Sequence, residues 1–65
     1  MNRLRRYLDD EGLTQAQFAA LVGVKQPTVW EWINGESKPS ADRLIKIGRI
    51  TGISIDELLC DGKAA

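Results

Sequence analysis

The side chains able to do chemistry in this chain are amides, a hydroxyl and a few charges, gathered between Gln15 and Lys38. Gln15, Gln26 and Asn34 carry amides. An amide presents two N–H donors and an acceptor in one plane, which suits it to matching other flat polar edges. Lys25, Thr28, Glu31 and Lys38 stand around them, with Pro27 and Trp30 interspersed. The groups that catalysis draws on are scarce. There is no histidine, and Cys60 is the only cysteine. Neither a zinc site nor a Cys-His or Ser-His pair can be assembled from that set. The carboxylates Asp9, Asp10 and Glu11 lie in a polar run at a helix end, without a partner base. The pattern is one of recognition rather than turnover: no catalytic, cofactor-binding or metal site is expected.

Sixty-five residues suffice for one small domain, near the lower size limit for folding without staples. A hydrophobic fraction of 43% can fill one core, and 28% charged residues is ordinary for a soluble protein. No apolar run approaches the roughly 18 residues of a membrane span. The chain opens on a polar, Arg-bearing stretch unlike a signal peptide, and a lone cysteine suits a reducing compartment. A cytoplasmic location is expected. Nine basic and nine acidic residues cancel, which argues mildly against a polyanionic partner, but distribution matters more than the sum. Arg3, Arg5 and Arg6 open the chain without an acid among them. Lys38, Arg43, Lys46 and Arg49 outnumber Glu36 and Asp42 further on. Acids collect at Asp9–Glu11 and at Asp56, Glu57 and Asp61. The expectation is one positive and one negative face.

The elements that must position these residues are helices. Gly12, Gly23, Gly35 and Gly52 each follow an amphipathic run, where a left-handed residue would end a helix. Thr14 with Gln17 forms a capping box, with Leu13 and Phe18 as its hydrophobic staple. Ser54 with Glu57, and Ile53 with Leu58, repeat the device, and Ser40 after Pro39 is a plain N-cap. These signals predict helices over 2–11, 14–22, 26–34, 40–51 and 54–60, with no strand periodicity anywhere. Inward stripes are expected at Leu4, Tyr7, Leu8; Phe18, Ala19, Leu21, Val22; Val29, Trp32, Ile33; Leu44, Ile47, Ile50; and Ile55, Leu58, Leu59.

The block from Thr14 to Gly35 is two short helices joined at Gly23-Val24. At about 100° per residue, Val29, Trp32 and Ile33 form the buried side of the second helix. Pro27, Glu31 and Asn34 point away, with Gln26, Thr28 and Trp30 on the flanks. A major groove about 12 Å wide admits a helix with such a face. Leu13-Thr14-Gln15, Ala19, Gly23-Val24, Gln26, Val29, Trp32, Asn34-Gly35, Pro39-Ser40 and Gly52 through Leu59 together resemble the lambda-repressor-like, or XRE, family of Cro and phage-repressor type.

The resemblance implies an all-α, compact five-helix DNA-binding domain over residues 1–65, with a helix-turn-helix at 14–35 and a flexible tail in the last few residues. It implies a sequence-specific regulator of transcription, most simply a repressor, binding double-stranded DNA as a homodimer at a palindromic operator. Pairing is expected near Ile53–Cys60. It assigns Gln15 to a phosphate and Gln26 to a base, Thr28 to a phosphate or a base edge, and Lys25, Asn34 and Lys38, with Arg43, to the DNA backbone. Pro27, Trp30 and Glu31 depart from the family pattern. Pro27 donates no hydrogen bond and can make only apolar contact, such as to a thymine methyl. Trp30 is open between packing on sugar-phosphate and covering a loop. Glu31 is open between accepting from cytosine N4 and lowering non-specific affinity. These departures and the zero net charge leave a second reading, a protein-interaction module on the same fold; within the DNA-binding class, an antitoxin or controller protein also uses this fold. No membrane partner, cofactor or small-molecule ligand is expected.

Overall fold

Thr14 sets the first helix boundary that matters for the site. The computed structural model of the chain describes residues 1–60, so the expected tail lies outside the described residues. Both halves of the capping box form: Gln17 N donates to Thr14 Oγ1 at 3.0 Å, and Thr14 N donates to Gln17 Oε1 at 2.9 Å. Ser40 Oγ accepts from Arg43 N at 3.4 Å, and Ser54 Oγ from Glu57 N at 3.2 Å. The helices run α1 Asn2–Glu11, α2 Gln15–Val22, α3 Gln26–Asn34, α4 Ala41–Thr51 and α5 Ile55–Cys60. Three of them start one residue later than expected. Thr14 and Ser40 hold extended backbone, with ψ of 163° and 168°, while their oxygens satisfy the first-turn N–H groups. No strand occurs among the described residues.

The core takes Leu4 and Leu8 from α1, Phe18, Ala19 and Val22 from α2, and Val29, Trp32 and Ile33 from α3. Ile47, Ile53 and Leu58 complete it. Ala19, 2% exposed, keeps the α2 face small where α3 packs against it. Val24 packs on the core from the turn. Three residues expected inside lie outside: Leu21 is 51% exposed, Ile55 38% and Leu59 52%. The reason is angular. Leu21 falls roughly 100° from the mean of Phe18, Ala19 and Val22, and Leu59 falls about 100° from Leu58. On α2 the fourth apolar residue overshoots the stripe; α5 gives the core Leu58 alone, and Ile55 and Leu59, about 60° and 100° round the helix from it, stay outside.

Gly23 carries the turn between α2 and α3 at φ 90° and ψ 30°. Its N–H and that of Val24 both donate to Ala19 O, at 2.8 and 3.0 Å. A Cβ there would meet Lys46 Nζ at 3.8 Å, which is ordinary contact. Space is therefore not the constraint; the left-handed backbone is. Gly23→Ala is expected to lower stability by about 1–2 kcal/mol, read as a fall in thermal midpoint.

The chain start is tied to the end of α3. The Met1 amino group donates to Trp32 O at 3.0 Å and Ile33 O at 3.2 Å. A positive charge on the last carbonyls of a helix is favourable, and this one fixes the far end of α3.

Candidate nucleic-acid interface

α3 is held by its buried stripe, by the glycine turn behind it and by Met1 at its C-terminus. Its opposite side is exposed. Gln15 and Gln26 are the first residues of α2 and α3, and the fold brings these helix starts together. Gln26 Nε2 donates to Gln15 Oε1 at 2.7 Å. The donor inventory of the pair then follows. Gln26 keeps its carbonyl oxygen and one N–H. Gln15 keeps both N–H groups. One acceptor beside one donor matches the N6–H and N7 pair that adenine shows in the major groove. Two spare N–H groups on Gln15, at the start of a helix, suit a phosphate oxygen.

The C-terminal half of α3 is organised around Glu31. Its carboxylate Oε1 accepts from Ser37 Oγ at 3.2 Å. Its backbone oxygen accepts from Glu36 N at 2.8 Å and Ser37 N at 3.4 Å. Glu31 thus braces the loop that carries Lys38. Asn34 Nδ2 donates to Trp30 O at 2.9 Å, which turns that amide partly back onto its own helix. The two tryptophans separate sharply: Trp32 is 3% exposed and Trp30 46%.

The remaining candidates fall where the helical wheel puts them. Pro27 is exposed on the first turn of α3, Thr28 is half-buried, and Lys25 is exposed just before the helix. Lys38 is exposed in the loop beside buried Pro39. The charge pattern departs from a clean two-face split. Arg3 and Arg6 line a surface notch together with Glu57 of α5, so basic and acidic residues share that side.

The sequence signalled neither the glutamine pair nor the Glu31–Ser37 bond. Eleven residues separate Gln15 from Gln26, and only their common position as first helical residues hinted at a relation.

The sequence model of the helix-turn-helix family matches residues 4–58, from the first core leucine to the last. The chain belongs to the XRE-type helix-turn-helix family. Membership places it among DNA-binding folds and not among enzymes. The chain is 42% identical over 57 residues to an uncharacterized HTH-type transcriptional regulator of Haemophilus influenzae. That match covers 88% of this chain and 23% of the relative, so the chain spans about a quarter of the relative's length. No solved structure matches. Among the described residues, no helix is long and apolar enough to cross a membrane, and no acidic, histidine or cysteine cluster could hold a metal ion.

Proposed function

We propose that this helix-turn-helix domain binds double-stranded DNA sequence-specifically and regulates transcription, most simply as a repressor. The observation that carries the proposal is the Gln15–Gln26 hydrogen bond at the paired helix starts. It pre-orients one amide for a phosphate and the other for adenine, joining backbone positioning to base readout in one unit. Lys25, Thr28, Asn34 and Lys38 surround it and serve the backbone or flanking edges. Glu31 accepts from a cytosine N4 group while Ser37 holds its other oxygen. The family match and the relative's designation as a transcriptional regulator support this reading.

The functional unit is a homodimer on a palindromic operator. One domain makes few base contacts, and half-sites one turn apart are about 34 Å centre to centre. The domain measures 31 × 24 × 22 Å between Cα atoms, so two copies fit side by side at that spacing, with side-chain contact between them if the longest axis lies along the DNA. Ile55 and Leu59, exposed on α5, offer the apolar surface for the contact.

Selection from random duplexes tests the proposal. The expected result is an enriched, two-fold symmetric site containing adenine, with affinity falling steeply between 50 and about 200 mM salt. Failure to enrich any site, or affinity insensitive to salt, would favour the protein-interaction reading. An asymmetric site bound by one copy in sedimentation would remove the dimer.

A further inference from the structure

We propose that Pro27 and Trp30 together read the C5-methyl group of a pyrimidine in the major groove. The proposal rests on the DNA-binding reading above and specifies what part of α3 recognises. Three polar side chains on the exposed side of α3 each spend one hydrogen-bonding group within the domain and keep others for polar base edges: Gln26 with Gln15, Glu31 with Ser37, and Asn34 with Trp30 O. Pro27 and Trp30 differ in kind. Proline offers no side-chain polar atom, and tryptophan offers a single N–H and no acceptor. They are three residues apart on one helix, which places their side chains about 5–6 Å from each other.

Trp30 is 46% exposed, leaving roughly 100 Å² of indole in water. Tryptophan is usually well covered, and the core here already has its tryptophan in Trp32. An apolar pair on a groove-facing helix needs an apolar target. The major-groove edges of the four base pairs carry one such group, the thymine C5-methyl. Cytosine methylated at C5 presents the same group on a ring whose N4 amine donates. Glu31 lies next to Trp30 and one turn beyond Pro27, and a carboxylate only accepts. It therefore favours the methylated cytosine ring, with its N4 donor, over thymine, which shows the O4 acceptor.

The test uses the full chain and the site enriched by selection. Each thymine is replaced by uracil and each cytosine by 5-methylcytosine, one position at a time, and the Kd is measured by fluorescence anisotropy. At one position per half-site, losing a methyl is expected to weaken binding about fourfold, or gaining one to strengthen it by as much. The thymine-to-uracil arm and the 5-methylcytosine arm identify which ring carries the group. Trp30→Ala or Pro27→Ala is expected to abolish that methyl dependence while adenine preference at the Gln26 position persists. Circular dichroism confirms that each variant folds. Insensitivity to both base changes would overturn the proposal. So would a Trp30→Ala loss equal on methylated and unmethylated duplexes, which would assign the indole to the sugar-phosphate backbone. Neither result would touch the DNA-binding reading, which stands or falls on enrichment itself.

Discussion

Trp32→Ala is expected to destabilise the domain by about 3–5 kcal/mol, the range for deleting a large buried aromatic. A 65-residue domain has only about 3–10 kcal/mol to lose, so the variant should be largely unfolded at 37 °C. The effect is this large because Trp32 does two things. Its side chain, 3% exposed, joins the core that α1, α2 and α3 share. Its backbone oxygen receives the Met1 amine, so loss of α3 packing also releases the chain start. Trp30→Ala, two residues away, removes a side chain that the core does not use. It should stay within about 0.5–1 kcal/mol of the parent. Urea denaturation followed at 222 nm compares the two. A result in which Trp30→Ala unfolds the domain and Trp32→Ala does not would mean that α3 is rotated from the orientation described.

Gln26→Ala carries the largest expected effect on binding. Loss of a bidentate amide contact to adenine should weaken binding to the selected site by about 10–100-fold and relax the preference at that base pair. The slope of log K against log salt should hold, because no phosphate contact is deleted. Lys38→Ala supplies the contrast. It should weaken binding to all sequences alike and reduce the salt slope by about one. Gln15→Ala separates the two halves of the pair. If Gln15 orients Gln26 through the 2.7 Å bond, its loss lowers both affinity and adenine preference. If base preference survives intact in Gln15→Ala, Gln26 does not depend on its partner for orientation.

Most of the fold was legible because its boundaries are written in local chemistry. Glycines at 12, 23, 35 and 52 take positive φ as the sequence predicted, and Thr14, Ser40 and Ser54 cap the helices that follow them. A cap bonds within three residues of itself, so its meaning does not depend on the rest of the chain. The division between Trp30 and Trp32 was legible for a similar reason. Helical periodicity alone puts Trp32 with Val29 and Trp30 off that side. Periodicity overreached at Leu21, Ile55 and Leu59. Hydrophobicity says that a side chain would gain from burial, and only the neighbouring helices decide whether there is anything to bury it against.

The candidate site divides along the same line. Residue types in α3 and the motif around Gly23 determined that an exposed, mostly polar helix face exists and that amide side chains belong to it. The tertiary structure decided how those groups are aimed. The crossing of α2 and α3 puts Gln15 against Gln26, and the loop after α3 folds back so that Ser37 reaches Glu31. Both bonds join residues that share no helical turn, so no spacing rule encodes them; they arise from how packed helices and their loops meet in space. The three-residue spacing of Pro27 and Trp30 is written in the sequence, whereas the exposure of both side chains was decided by the packing of the other helices.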